Sequence, residues 1–475
     1  MSGLAELLLM RGVDVSGSDT AHNKKTDELA SLGASISIGH EAKNIDGADV
    51  VVYSSAINSD NIERVEAAQR GIRLVRRADF LGELLHDHMV IAVAGTHGKT
   101  TVTSMITSVL IEAGLDPLVL VGASVKELGG KNSRAGAGKI AVIEADEYDR
   151  SFLALGGSYI AVMTSLEAEH LDTYENVDSL KDAFVEFANQ EPVSGSHSPG
   201  LDLLRNGHQA PPTGFAIMCI DEPMLREITP RLRKRIVTYG IDSSETKYRA
   251  SELAQQPHRS RATLMRAGES VGEIELHVPG KHNMLNALAA IATADVLSIP
   301  LDITLRALKR FGGAERRFEV IGEGSRIVVI DDYAHHPTEV RATLTTAHQV
   351  YPGRRIVACF QPHTFTRTRD FAEGFGQVLA SLADVVVLLD IYPAREAPIT
   401  GVTSSLILDA AKSVGPKEIY SVAGTKELPS VLAGILRDGD VVLTIGAGTI
   451  TEAAPLILRE IATMQTLEMA TEEKN

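Results

Sequence analysis

The chain opens on an apolar stretch, Gly3-Leu4-Ala5-Glu6-Leu7-Leu8-Leu9-Met10-Arg11-Gly12, whose leucines and closing glycine predict a helix with no strand before it. From Val13 onward, short β-rich runs alternate with longer stretches of helical periodicity, the pattern of parallel α/β units. Residues 13–16, 35–38, 50–53 and 73–75 read as strands, helices fill the gaps, and a helix at 78–86 closes the section. A strand at 89–94 opens a second segment, with further strands at 140–143 and 159–164. After Phe311-Gly312-Gly313 the alternation restarts, with strands at 326–330, 355–360, 385–389 and 441–445. The pattern therefore predicts three domains, 1–86, 87–313 and 314–475. Residues 194–213 crowd serine, glycine, proline and histidine and read as a solvated excursion. The polar tail after Ala462 is expected to fray.

The length of 475 residues agrees with three full-sized cores at roughly 100–200 residues per domain. The balance of 62 acidic against 46 basic side chains, net −16, excludes a general nucleic-acid or anionic-membrane binder, since those present broad basic faces. Any anionic ligand must meet a locally basic pocket. Cys219 and Cys359 match no metal-ligand spacing and read as small apolar residues of a reducing compartment. The opening apolar stretch is too short for a signal peptide and is interrupted by Glu6, and no other segment approaches membrane-spanning length. These features place the chain in the cytoplasm. The most basic run, Arg231-Leu232-Arg233-Lys234-Arg235, reads as a solvated face, because no aromatic platform accompanies it.

The strongest chemical signal is the strand Val90-Ile91-Ala92-Val93-Ala94 running into Gly95-Thr96-His97-Gly98-Lys99-Thr100-Thr101 and then a helix at 102–113. Two glycines let backbone N–H groups curl around an anion, the helix N-terminus adds partial positive charge, and Lys99 can neutralise β- and γ-phosphates. Thr100 is placed to ligate Mg²⁺. The loop is a shortened form of G-x-x-x-x-G-K-[ST], with Val93 where the first glycine would fall.

The strand at 140–143 ends in Glu144-Ala145-Asp146-Glu147-Tyr148-Asp149. Ligands of parallel sheets collect at carboxyl ends of strands, and Mg²⁺ takes oxygen ligands, so one of these acids, Glu144 foremost, is expected at a metal; a solvated acidic turn is the alternative. His170 follows the next strand within Glu169-His170-Leu171-Asp172-Thr173-Tyr174 and joins the same candidate set. Asn283, in Pro279-Gly280-Lys281-His282-Asn283-Met284-Leu285-Asn286, either pairs with a nucleobase edge or caps its helix. Arg316 and Arg317 either reach a γ-phosphate or are solvated. In the third segment, three strands run into Asp331-Asp332-Tyr333-Ala334-His335-His336-Pro337, Gln361-Pro362-His363-Thr364-Phe365-Thr366-Arg367 and Asp390-Ile391-Tyr392-Pro393-Ala394-Arg395-Glu396. A polar binding rim is the reading that accounts for three strands together delivering histidine, tyrosine and arginine to one edge.

Taken in order, these motifs, together with Ser54-Ser55-Ala56-Ile57, resemble the Mur ligases of peptidoglycan synthesis over nearly the whole chain. The segments at 332–337 and 390–396 look like the alanine-adding branch, as does the absence of lysine from residues 182–189, where sister ligases carry a modified lysine. The resemblance implies an N-terminal Rossmann-like domain for the UDP end of the substrate, a central P-loop ATPase α/β domain, and a C-terminal Rossmann-like domain admitting the amino acid. It implies ATP-driven joining of L-alanine to the lactyl carboxylate of UDP-N-acetylmuramate through an acyl phosphate. Lys99, Glu144 and His170 would be catalytic, with Thr100 and Glu144 at one Mg²⁺ and His170 at the other. The 95–101 loop, Asn283, Arg316 and Asp332 would contact ATP. Ser54 and Ser55 would meet the UDP-sugar, and Tyr333, His335, His363 and Arg367 would line the alanine and carboxylate site.

Three departures stand against the family pattern. Family members begin with a strand and glycine-rich turn before the helix that starts here at Gly3. The 194–213 stretch replaces a short connection, and Gly446-Ala447-Gly448-Thr449 has threonine where aspartate is usual. The alternatives are a recycling ligase that attaches a tripeptide to the same UDP-sugar, a catalytically silent nucleotide-binding homologue, and a regulatory P-loop NTPase.

Overall fold

The computed structural model describes residues 1–168, 173–192, 213–313, 316–324, 326–394, 396–415 and 418–472. They form two compact units. One comprises Met1–Glu252, Ala262–Leu276 and Asn283–Ala314; the other comprises Leu253–Arg261, His277–His282 and Glu315–Asn475.

The first part of the chain runs α1 (Ser2–Met10), β1 (Ser16–Asp19), α2 (Lys24–Ser31), β2 (Ser35–Ile38), β3 (Val50–Tyr53), α3 (Ile62–Arg70), β4 (Arg73–Arg76) and α4 (Arg77–Leu84). Its strands pair as two parallel ladders, β1 with β2 and β3 with β4. The first strand lies three residues later than the pattern predicts: Val13 is 46% exposed, and the ladder begins at Ser16 opposite Ser35. This part belongs to the same unit as the central sheet, and α1 shows the reason. Its buried Glu6 accepts a hydrogen bond from Ser133 Oγ at 2.6 Å and pairs with Lys131 Nζ at 2.6 Å, while Gly3 sits where a Cβ would come 2.7 Å from Leu120 Cδ1.

The central part runs β5 (Met89–Ala94), α5 (Lys99–Glu112), β6 (Leu118–Val125), β7 (Lys131–Ala135), β8 (Ile140–Glu144), β9 (Ile160–Met163), α6 (Val177–Asn189), β10 (Phe215–Cys219), α7 (Pro223–Ile228) and β11 (Arg235–Gly240). Then follow β12 (Tyr248–Gln256), β13 (Arg259–Arg266), β14 (Glu269–Leu276), α8 (Lys281–Val296) and α9 (Leu301–Arg310). The sheet order is β14-β13-β12-β11-β10-β9-β5-β8-β6-β7. Every residue of β5 is buried, as expected of a parallel strand covered on both faces. The hydrophobic pattern singles out none of β10 to β14. The basic run before β11 is not wholly solvated either: Lys234 is 4% exposed and donates to the Ser158 carbonyl, and Arg231 pairs with Asp182 at 2.6 Å.

The last part runs β15 (Glu319–Gly324), β16 (Ile327–Asp332), α10 (Pro337–Val350), β17 (Ile356–Phe360), α11 (Phe365–Leu382), β18 (Val385–Leu389), α12 (Ser405–Val414), β19 (Glu418–Val422), α13 (Leu428–Ala433), β20 (Val441–Ile445) and α14 (Ala453–Glu472). Its order is β15-β16-β20-β17-β18-β19, with only β15 antiparallel. Alternate residues enter two separate cores: Val328, Ile330, Ala358 and Phe360 in one, and Ile327, Val329, Val357 and Cys359 in the other. The tail past Ala462 continues as helix through Glu472, because Ala453, Ala454, Ile457 and Ile461 seat α14 in the second core. Both cysteines are free and buried, and burial pushes the Cys219 thiol up to about 12.

Candidate active site

The phosphate loop leaves the carboxyl end of β5 with Gly95 at φ +143°. A Cβ there would stand 2.1 Å from Thr164 Oγ1, so only glycine lets the turn close. The loop is then pinned from the end of β9: His97 N donates to Ser165 Oγ at 2.8 Å, Thr96 N donates to the Ser165 carbonyl at 3.2 Å, and Glu167 N donates to Thr96 Oγ1 at 2.9 Å. The helix begins at Lys99, three residues earlier than predicted. Asn286 lies by Gly98, and its amide nitrogen is 3.5 Å from the Asn283 oxygen, both asparagines being buried.

Lys99 folds back over the loop. Its Nζ donates to the Gly95 carbonyl at 2.7 Å and to both oxygens of Glu147 at 2.9 Å. Burial alone would drive the ammonium toward neutrality; Glu147, Asp146 and Glu144 outweigh it and raise the pKa above its ordinary value. Glu147 is 2% exposed, and Tyr174 Oη donates to its carbonyl at 2.6 Å. Beside this pair, Thr100 Oγ1 donates to Glu144 Oε1 at 3.1 Å, and Gly122 N donates to Glu144 Oε2 at 2.7 Å. A Cβ at Gly122 would lie 2.8 Å from Glu144 Oε1, so this glycine gives the carboxylate its room. The result is a fixed cation next to a hydroxyl–carboxylate pair at the carboxyl end of a parallel sheet.

The second cluster lies at the carboxyl ends of β16, β17 and β18, which are parallel, with β20 interposed between β16 and β17. Tyr333 and His335 rings meet edge-on at 5.3 Å, His335 and His363 at 6.1 Å, and His363 stacks on Tyr392 at 5.7 Å. His335 Nδ1 lies 2.9 Å from the Tyr333 carbonyl, which makes Nδ1 the protonated nitrogen. Burial, then the charge of Arg367, lowers the His363 pKa to about 4 against the opposing pull of Glu396. Asp332 accepts from Phe318 N at 2.9 Å and Ala334 N at 2.8 Å; burial lifts its carboxyl to about 6, with Arg317 opposing. Arg316 is neither solvated nor unengaged: its Nε donates to buried Asp331 at 2.9 Å and its Nη2 to the Gly446 carbonyl at 2.5 Å. Its guanidinium also lies 4.9 Å from the Tyr333 ring centroid.

Comparison with known proteins identifies the family. The Mur ligase family catalytic domain matches residues 1–89, the Mur ligase middle domain matches 93–198 and 203–294, and the Mur ligase glutamate ligase domain matches 316–448. The chain is 42% identical over 462 residues to the UDP-N-acetylmuramate–L-alanine ligase of Trichlorobacter lovleyi, covering 97% of this chain and 96% of that one. It is 44% identical over 455 residues to the enzyme of the same name from Salinibacter ruber, covering 96% and 91%. The chain belongs to the Mur ligase family. The crystal structure of UDP-N-acetylmuramate-alanine ligase from Thermotoga maritima superposes with a TM-score of 0.79 at 29% identity, over 98% of this chain and 97% of that one. A murein peptide ligase from Psychrobacter arcticus shares the fold, with a TM-score of 0.67 at 24% identity and 97% and 96% coverage. The α/β, three-domain Mur ligase architecture expected from the motifs is therefore present.

Among the expected site residues of this Mur ligase, Gly95 to Thr101 and Glu144 converge, as do Tyr333, His335 and His363. Arg367 enters through α11, where its backbone N–H is 3.4 Å from the capping Thr364 Oγ1. Ser54 sits in the turn after β3, with Ala56 N donating to its Oγ at 3.3 Å, and Ser55 is exposed. His170, Arg395 and residues 194–212 lie outside the described residues. Thr449, the departure from the family's aspartate, accepts a hydrogen bond from Gln361 Nε2 at 3.2 Å, so the position stays polar and engaged. Sequence reasoning missed Glu147 as the partner of Lys99, although it stood in the acidic cluster, and missed Thr164 and Ser165, which look like ordinary strand-end residues. It also missed a polar knot in the first part of the chain: Ser18 Oγ donates to Glu63 at 2.7 Å and lies 2.9 Å from His40 Nδ1, while Asn44 donates to Glu63 at 2.7 Å. Among the described residues no helix is long and apolar enough to cross a membrane.

Proposed function

We propose that the chain is an ATP-dependent UDP-N-acetylmuramate–L-alanine ligase, ADP-forming, working in the cytoplasm in peptidoglycan precursor synthesis. The observation that carries the chemistry is Lys99, held charged against Glu147 and the loop carbonyl beside the Thr100–Glu144 pair. We take the domain limits as 1–86, 87–313 and 314–475, from the alternation of strands and helices along the chain.

The lactyl carboxylate of UDP-N-acetylmuramate attacks the γ-phosphorus of ATP and ADP leaves. The amine of L-alanine then attacks the acyl carbon and phosphate leaves, the amine losing a proton. Positioning and charge stabilisation supply most of such a rate. The loop amides and Lys99 hold the terminal phosphates, and Glu147 keeps the ammonium desolvated and charged until a phosphate takes its place. The donors beside it, a hydroxyl and a carboxylate, fit a hard divalent cation, so Thr100 and Glu144 would hold one Mg²⁺; the family resemblance assigns His170 to a second. Bound magnesium would neutralise charge developing on the phosphates. We assign Asn283 to the adenine edge, and Arg316 and Asp332 to contacts with ATP. Ser54 and Ser55 meet the UDP end. Tyr333, His335, His363 and Arg367 receive L-alanine and the acyl group. With its pKa near 4, the His363 imidazole is neutral at pH 7, so it adds no like charge against the incoming ammonium.

Phosphate release with ATP and Mg²⁺ should require both UDP-N-acetylmuramate and L-alanine; release indifferent to L-alanine, or equal with a tripeptide in its place, refutes the reading. Arg367→Ala should leave ATP binding intact and lower ligation about 100-fold.

A further inference from the structure

The central sheet carries a second cavity that the ligation chemistry does not use. It has a volume of about 580 Å³, within the ~300–1,000 Å³ of small-molecule sites. Phe215 and Arg235, the first residues of β10 and β11, form one wall. Because β5, β9, β10 and β11 are parallel, these residues stand at the sheet edge opposite to the one from which the phosphate loop emerges. Helix α8 spans the two places: Asn286 lies by Gly98, and Asp295 of the cavity is nine residues further on, about 13 Å along the axis.

The lining is apolar in its depth and cationic at its rim. Val237, Leu264 and Ile291 are no more than 4% exposed. Above them stand Arg235, Lys247 and Arg266 against a single carboxylate. Asp295 serves two of the cations, with Lys247 Nζ at 3.1 Å and Arg266 Nη2 at 2.7 Å. Arg235 has no acidic partner among the described residues; its guanidinium lies 5.9 Å from the Phe215 ring centroid. Three cations around one acid is a local excess of positive charge in a chain of net −16, where chance favours the reverse. The N-terminus of α9 adds to it, since Pro300 and Leu301 line the cavity and Pro300 offers no side-chain cap to the first-turn amides, although Asp302 lies in that turn. On the floor, Tyr248 is 2% exposed and its hydroxyl is buried, facing Asp295 and Arg266 without a well-formed hydrogen bond among the described residues; burial, then Asp295, raises its pKa.

We propose that this cavity is a binding site for a small amphiphilic carboxylate, its apolar body seated on Phe215, Leu264 and Ile291 and its charge received by Arg235 and Arg266. The site is separate from the nucleotide site, so both fill together. Helix α9 lines the cavity and holds α5, the helix of the phosphate loop, through Arg306 and Arg310 on Glu112. Occupancy is therefore placed to be felt at the loop.

Calorimetric titration of the full chain with 4-phenylbutyrate, in the presence of saturating ATP analogue, should give one site. The neutral amide 4-phenylbutyramide should bind at least about tenfold more weakly, as should the carboxylate to Arg235→Gln/Arg266→Gln. Val271→Trp, which fills the mouth from a 36%-exposed position, should abolish binding while leaving ATP binding unchanged. Absence of binding to the wild-type chain, equal affinity for the amide, displacement by the ATP analogue, or indifference to both variants overturns the proposal.

Discussion

The phosphate loop and the rim of the last sheet both bury ionisable groups, and they resolve the cost in opposite ways. Around Lys99, opposite charge outweighs burial, and the group stays ionised. Elsewhere burial prevails: at the rim His363 is pulled down to about 4 and Asp332 is lifted to about 6, and His282, at the start of α8, is likewise pulled down to about 4. A site for triphosphate needs a fixed charge that is present before the ligand arrives. A site for an amino acid that must become a neutral nucleophile gains from side chains that hydrogen-bond without charge.

Removing the charge at the loop should have the largest effect. Lys99→Met takes the ammonium away from buried Glu147, so stability should fall by about 3–5 kcal/mol in urea unfolding, and phosphate release should drop about 1,000-fold or more. Lys99→Met/Glu147→Gln should recover most of the stability and none of the turnover. Recovery of turnover would mean the lysine serves only to satisfy Glu147.

Gly95→Ala comes next. Its Cβ would collide with Thr164 Oγ1, so ATP affinity should weaken roughly 100-fold by calorimetry, with a stability loss of about 1–3 kcal/mol. Arg367→Ala, at the rim, should leave that affinity unchanged.

The rim should declare itself in pH. A histidine whose folded pKa is lowered from 6.5 to about 4 is protonated more readily in the unfolded chain, so its contribution is present above pH 6.5 and is lost as pH falls toward 4. Asp332, raised from 3.8 to about 6, works the other way over pH 4–6 and cancels one histidine's share. The net expectation is a urea midpoint that falls between pH 6.5 and 4.5, with a shallower fall in His282→Gln. An unchanged slope in that variant would remove His282 from the account.

The smallest effect is expected at Thr364, where φ +63° and ψ 150° place a β-branched residue in a region that favours glycine. Thr364→Gly relieves roughly 1–3 kcal/mol of strain and forfeits about 1 kcal/mol of helix capping, so stability should stay within about 1–2 kcal/mol of wild type.

What the sequence made legible follows from these contrasts. The strands at 89–94, 385–389 and 441–445 were readable because both faces are buried, and continuous apolar runs result. Tyr248–Gln256 was not: its alanines, glutamate and glutamines favour helix, and only pairing within the sheet makes it a strand, buried at alternate positions near its start. The site was readable where residue type and strand-end position coincide, as at Lys99, Glu144 and His363. It was opaque where a partner is set by tertiary approach. Nothing in Arg316's neighbours announces that Asp331, shared with Thr444 and Thr451, engages its guanidinium. Nor does the acidic cluster announce which of its members grips Lys99.

The six-stranded sheet also limits how this chain can change its length. Val357 and Ala358 go to opposite cores, so one residue gained or lost within β17 would exchange the tenants of both faces at once, and the five parallel strands hold no slack to absorb it. Substitutions there are local events, but insertions and deletions are not. Length variation among relatives should therefore gather in the connections between strands, and a library built with single-codon deletions across 356–360 should return almost no soluble protein.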